Sequence, residues 1–363
     1  MKKSLLSILL ILSLTACSSS VVEDESKTSE SVKIGVLLPL SGGASAYGEE
    51  MMMVLNHQNS NLETPAELYF EDSKCEAASA VTGFQKLVDI QGVEAILGGF
   101  CSSETLAIEP LLEQNDIVAL SATSSSPEIE GKSKNLMTLS YSDNVIAQTM
   151  AKDIMESNSI AIISEQNDYN IALKNSLESI LGEKIITNET FEKNSTDMRN
   201  IIEKVKASNP EVLILNPNVG DTSVNLLNQL AESQDFFANV RLVSQETYVA
   251  DDSRIQAPEL AESMTLFAAP NLTSQEVDSF VASLPSTIDT LGVFYSSTAS
   301  DALENLVRSI QDSRSNGTSV QEELSSSPLS GLASSGKSFD GNNFLQGIKA
   351  GKYMITDGKA VLQ

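Results

Sequence analysis

From Val32 onward, short apolar runs of β-strand character alternate with stretches in which apolar residues recur at helical spacing. The strand runs are Lys33 to Leu38, Glu67 to Glu71, Glu94 to Leu97 and Ile117 to Leu120, and the helical stretches are Tyr47 to Asn56, Glu76 to Asp89 and Glu104 to Glu113. Strands that read as near-continuous apolar runs are buried on both faces, and a helix between each pair makes the connections parallel crossovers. A second series with the same rhythm follows Asp143. Its strands are Ser159 to Ile163, Lys184 to Ile186, Val212 to Leu215, Val240 to Val243 and Met264 to Ala268. Its helices are Val145 to Met155, Ile171 to Leu181, Asp197 to Ala207 and Thr222 to Ala231. Two βα series of similar size predict an α/β chain with two Rossmann-like lobes, each on a parallel sheet. Capping boxes at Thr273 to Glu276 and Ser319 to Glu322 announce two further helices, the run Gly292 to Gln311 is helical in period, and Asp357-Gly358 carries a hairpin signal.

In an open parallel sheet, small ligands bind beyond the strand C-termini. Two loops at that edge stand out. Val93 to Leu97 ends in Gly98-Gly99 and turns at Cys101-Ser102-Ser103 into a helix. Ile117 to Leu120 delivers Ser121 and the run Thr123 to Ser126 before Pro127. A helix start brings unpaired N–H groups and a partial positive charge, which suit a carboxylate or phosphate. Hydroxyls at such positions also serve as caps and turn formers, so this signal alone carries both readings.

Residues 1–16 hold Lys2 and Lys3, an apolar run too short to span a membrane, and Leu14-Thr15-Ala16 before Cys17. This ending matches a bacterial lipobox, so 1–16 reads as a lipoprotein signal peptide and Cys17 as the acylated first residue of an exported chain. Residues 17–31, rich in Ser and acidic residues, read as a tether. In an oxidising compartment the remaining pair, Cys75 and Cys101, is expected to form a disulfide, the alternative being two buried thiols.

Charge and histidine content narrow the function. The 49 acidic and 23 basic residues give a net charge of −26, a poor match for nucleic acid or an anionic membrane surface. His57 is the single histidine and sits in a helix-end context, with no G-x-S-x-G elbow to complete a triad. P-loop, dinucleotide and metal motifs are absent from the sequence, which argues against an enzyme, a resident cofactor or a metal.

The phrase Ile34-Gly35-Val36-Leu37-Leu38-Pro39-Leu40-Ser41-Gly42 with Tyr47-Gly48 resembles the opening of type 1 periplasmic binding proteins, in the branched-chain amino-acid-binding group of ABC importers. The resemblance continues in order through Cys75, Cys101-Ser102-Ser103 with Thr105, Ser126-Pro127-Glu128, Asp168-Tyr169, Ser300-Asp301-Ala302, Phe339-Asp340 and Asp357-Gly358-Lys359. It implies two lobes joined by a three-segment hinge, with crossings near Ser142, Pro270 and Leu329. The first lobe would comprise 32–142 and 270–329, the second 143–269 and 330–363. It also implies that the ligand carboxylate meets Ser102, Ser125 and the backbone near Thr123, that aromatic contacts come from Tyr47 and Tyr169, and that the α-ammonium meets Glu246, with Asp221 as the alternative. Departures from the family pattern are Gly43 after Ser41-Gly42, no arginine in Leu139-Ser140-Tyr141, Asn170 where a glycine is usual, and the loop 216–220.

The resulting expectation is a lipid-anchored binding protein that closes on a small amino acid or amide-like solute and passes it to a membrane permease. A lipoprotein of the same shape that regulates an envelope enzyme without binding a solute is the competing reading.

Overall fold

The computed structural model describes residues 31–249 and 257–363. The expected signal peptide, all but the last residue of the tether, and Cys17 lie outside the described residues. Five strands form a first, wholly parallel sheet: β1 (Lys33–Leu38), β2 (Glu67–Asp72), β3 (Ala95–Leu97), β4 (Val118–Ser121) and β5 (Leu136–Thr138), in the order β2-β1-β3-β4-β5. Seven form a second: β6 (Ile160–Gln166), β7 (Ile185–Glu192), β8 (Val212–Asn216), β9 (Arg241–Gln245), β10 (Thr265–Ala268), β11 (Gly351–Thr356) and β12 (Lys359–Leu362). Their order is β12-β11-β10-β9-β8-β6-β7, parallel from β10 through β7 and closed on the other side by the antiparallel hairpin β11-β12.

The period of two along each strand explains why both sheets carry helices on both faces. Ile34, Val36 and Leu38 point into one core, and Leu37 points into the other. In the second sheet Ala161 and Ile163 face one core, while Ile160 and Ile162 face its opposite. All of these are sealed from solvent, and each buried Ile or Leu stabilises by about 1.5–3 kcal/mol. A polar residue in either register would sit in a core.

The helix Gly292–Asn316 links the two bodies. Ala299, Ala302, Leu303 and Leu306 pack on the first sheet, whereas Phe294 at its start joins the second sheet's core beside Tyr141. At the opening helix Ser45–Asn61, Gly48 lies so close to the Pro39 carbonyl that a Cβ there would overlap it. The glycine lets this helix start directly against the loop after β1, and that seats Tyr47.

Three differences from the sequence expectation have physical reasons. Leu136–Thr138 is a strand of only three residues and does not read as one. β7 runs to Glu192, well past Ile186, because as an edge strand paired only to β6 it tolerates Asn188 and Glu189 in its middle. The third is the boundary of the last crossing. Residues 338–345 belong to the first body and not to the second: the Thr138 N–H donates to Asn343 O at 3.0 Å, the Leu345 N–H donates to Ser140 O at 3.1 Å, and Phe344 fills the core around Leu37 and Leu136. Ile348, just beyond them, touches cores of both bodies. Without β5 the docking edge for this segment is invisible in the sequence.

Candidate functional site

Segments that leave strand C-termini of both sheets converge on a cavity of about 540 Å³ between the two bodies. Tyr47, Ser102, Thr123, Ser125, Tyr169 and Glu246 all line it. Asp221 does not; it is exposed at the start of the helix Asp221–Ala231.

On the first wall, hydroxyls knit the loops after β3 and β4 into one unit. Ser121 Oγ and Ser124 Oγ donate to Gly99 O at 2.8 and 3.0 Å, and Thr123 Oγ1 donates to Phe100 O at 2.6 Å. The Thr123 N–H is also engaged, donating to Ser121 Oγ at 3.3 Å, so the expected free backbone donor near Thr123 is not free. Ser102 opens the helix Ser102–Gln114, and its Oγ accepts the N–H groups of Ser125 and Ser126 at 3.3 and 3.2 Å. With its acceptor capacity used internally, the Ser102 hydroxyl has its hydrogen left for a ligand. The N–H groups of Ser102 and Ser103 lie in the first helical turn, which has no intrahelical acceptors, and both residues border the cavity. Tyr47 and Phe100 cover this corner with ring centroids 6.1 Å apart.

The opposite wall is acidic and phenolic. Glu246 follows β9, and its carboxylate accepts the Tyr295 hydroxyl at 2.9 and 2.8 Å and the Tyr141 hydroxyl at 3.5 Å. Burial raises its pKa above the usual range, although these phenols favour the anion. Tyr169 donates to Gln245 Oε1 at 3.2 Å. Behind Ser125 lies Asp143, fully buried, with Oδ2 at 2.9 Å from Ser125 Oγ. Burial, then the charge of Glu246, pushes the Asp143 carboxyl well above its ordinary value.

Asp143, Tyr141 and Tyr295 were missed in the sequence. Asp143 precedes the helix Asn144–Ile154 and reads as its N-cap, yet it makes no capping bond. Tyr295 lies in an amphipathic helix and reads as core. The missing arginine before the first hinge was the one available signal that this wall lacks a cation.

Cys75 and Cys101 are joined, with Cα atoms 5.4 Å apart. Across the mouth, Lys193 Nζ donates to Cys75 O at 3.0 Å, and Gly220, at φ +103°, lies against the Gly43 backbone so closely that a Cβ would come within 2.7 Å of Gly43 O. The two bodies therefore touch at the outer rim. Among the described residues, Cys75, Cys101 and Glu104 alone bring three potential metal ligands together, and two of the three are sulfurs spent in the disulfide. His57 sits far along the first helix, its Nε2 2.9 Å from Ser283 Oγ at the surface.

Residues 31–348 match the family described as periplasmic binding protein. An amino acid binding protein of Pseudomonas aeruginosa PAO1 is 24% identical over 251 residues, 64% of this chain and 65% of its own length, so the chain spans just under two thirds of that relative. The branched-chain amino acid transporter substrate-binding protein of Streptococcus pneumoniae, solved with isoleucine, superposes with a TM-score of 0.78 at 17% identity, over 92% of this chain and 99% of its own. An ABC-transporter solute-binding protein of Rhodopseudomonas palustris HaA2, solved with p-hydroxybenzoic acid, gives a TM-score of 0.80 at 17% identity, over 92% and 96%. The chain belongs to the periplasmic binding protein family and has its type 1 two-lobed fold.

Proposed function

We propose that this protein is a lipid-anchored, extracytoplasmic solute-binding protein of an ABC importer that closes on an amino acid and delivers it to the permease. The observation that carries this reading is the polarity of the cavity. Hydroxyls and a helix start line the first wall, and Glu246 with two phenols lines the second. Hydrogen-bond donors suit a carboxylate and a carboxylate suits an ammonium, so a zwitterion satisfies both walls only when it bridges them. Among the described residues the cavity wall holds one basic side chain, Lys193, and its ammonium is turned to the Cys75 carbonyl. The roles assigned are Ser102 and Ser125 with the start of the helix Ser102–Gln114 for the carboxylate, Tyr47 and Tyr169 for aromatic packing, and Glu246 for the ammonium.

Other observations agree with a carrier and not an enzyme. The relatives are solute-binding proteins. The ligand shifts an open-to-closed equilibrium because both of its ends are met only in the closed form. Some relatives hold benzoates, and these leave Glu246 without a cation.

The test is thermal unfolding of the purified protein against amino acids, amides, ureas and aromatic carboxylates. A ligand of the folded state adds about 2.7 kcal/mol at a hundredfold excess over its Kd. A concentration-dependent shift with an amino acid supports the proposal. A shift confined to benzoates, or no shift from folded, ligand-free protein, overturns it, and the second outcome favours the solute-independent regulator.

A further inference from the structure

We propose that Asp143 is held as a neutral carboxylic acid that donates its proton to Ser125 Oγ, so that the Ser125 hydroxyl hydrogen points into the cavity toward the ligand's carboxylate. This rests on the amino-acid reading above for the ligand's end of the chain of hydrogen bonds. Asp143 is then a positioning residue and Ser125 the contacting one.

Asp143 is enclosed by hydroxyls and a second acid. Its side chain is 0% exposed, Oδ2 is 2.9 Å from Ser125 Oγ, and Oδ1 has no partner. The groups facing it come from five places: Ser125 from the loop after β4, Tyr141 from the first crossing, Glu246 from the turn after β9, Tyr169 from the helix after β6, and Tyr295 from the long connecting helix. None of these is a cation, and one is a second carboxylate. An ionised Asp143 would be a buried anion with one neutral hydroxyl to stabilise it, facing another acid. Glu246 is better provided: it has two phenols and an opening to the cavity. Of the two acids, Asp143 is therefore the one that keeps its proton.

The direction of one hydrogen bond follows from that. A carboxylate at Asp143 would take the Ser125 hydroxyl hydrogen and turn an oxygen lone pair toward an incoming carboxylate, whereas a carboxylic acid gives its own hydrogen and leaves the hydroxyl free to donate. The geometry does not depend on this bond alone, because the Asp143 N–H donates to Ser125 O at 2.8 Å and the Ser125 N–H donates to Ser102 Oγ. The side chain thus sets the polarity of Ser125, and the backbone sets its place.

Two measurements test the inference. The first needs no ligand: the infrared difference between wild type and Asp143→Asn at neutral pH should contain a protonated carboxylic C=O band, and that band should shift in Ser125→Ala. Its absence overturns the proposal whatever the protein binds. The second uses L-leucine as the probe in calorimetric titration. Asp143→Leu, which cannot donate, should weaken binding roughly tenfold, Asp143→Asn should restore it through its amide N–H, and in a Ser125→Ala background the leucine substitution should have no further effect. Equal loss with Asn and Leu, or additive loss with Ser125→Ala, overturns the positioning role. Failure of wild type to bind leucine or any other amino acid strikes at the function reading, while the infrared band still decides the state of Asp143.

Discussion

Glu104→Gln should stabilise this protein at neutral and alkaline pH and leave it nearly unchanged in acid. Glu104 lies in the first turn of the helix Ser102–Gln114, is sealed from solvent, and accepts the Cys101 N–H on Oε2 at 2.9 Å. Its other oxygen has no partner, and neither does the buried Ser73 hydroxyl nearby. Burial pushes its pKa from 4.5 up to about 7, against polar neighbours, the Cys101 N–H among them, that favour the anion. Because the folded-state value is raised, the unfolded chain ionises first as pH rises. The stability contributed by the neutral form is complete below pH 4.5 and is lost as pH climbs through about 7. The separation of the two values, at about 1.4 kcal/mol per unit, makes that loss about 3 kcal/mol. Glutamine keeps the acceptor for Cys101 and offers an amide N–H to Ser73, yet cannot ionise. Urea unfolding of both proteins, disulfide intact, should show the stability gap widening by about 3 kcal/mol between about pH 4 and about pH 8, with m unchanged. A gap that is constant with pH, or a variant less stable at about pH 8, refutes the reasoning.

Three further outcomes are expected. Replacing Cys75 and Cys101 with serine opens a loop with a sequence separation of 26 and should lower unfolding free energy by about 3 to 4 kcal/mol in the chain-entropy treatment, read as a shift in urea midpoint. Asp301→Ala should cost at least about 3 kcal/mol, because the carboxylate accepts the N–H groups of Leu332, Ala333 and Ser334 and the Ser334 hydroxyl at 2.7–2.8 Å; retained thermal stability would contradict this. Glu246→Gln should weaken amino-acid binding by about 1.5 to 3 kcal/mol in calorimetry without lowering the unfolding midpoint, and unchanged affinity would remove Glu246 from the ammonium role.

The double-wound architecture was legible because strands buried on both faces leave unbroken apolar runs, as in Ile160 to Ile163. What escaped was short or non-local. β5 has three residues, and the segment that docks on it, around Phe344, is contributed from 206 residues later in the chain as read from the Thr138–Phe344 bridge. The candidate site divides in the same way. Ser102, Ser125 and Tyr47 follow strand ends and can be found by walking the sheet edge, whereas the meeting of Asp143 with Ser125 and of Tyr295 with Glu246 depends on how two bodies and a bridging helix come together. The hydroxyl-rich run also misled in part. Ser121, Thr123 and Ser124 spend their hydroxyls joining the loops after β3 and β4, so the structural role of serine and threonine accounts for most of the run and leaves Ser125 for the ligand role proposed above.

The same division of labour bears on why closure should depend on a ligand. At the outer rim the bodies share the Lys193–Cys75 hydrogen bond and the close Gly43–Gly220 approach. A single lysine to a carbonyl at a partly exposed site contributes about 0.5 to 3 kcal/mol, too little to hold two lobes shut by itself. Deeper in, the second wall carries Glu246, partly shielded and met by neutral donors, two phenols among them, with no cation. Closing an empty cleft therefore removes water from an acid without supplying a cation, and the modest rim contacts must oppose that penalty. Under the amino-acid reading proposed above, a zwitterion would reverse the sign of the inner term: its ammonium would satisfy Glu246 as its carboxylate took the donors of Ser102 and the helix start. Rim and inner contacts would then both favour closure, and the disulfide at Cys75 keeps the accepting carbonyl in position for Lys193.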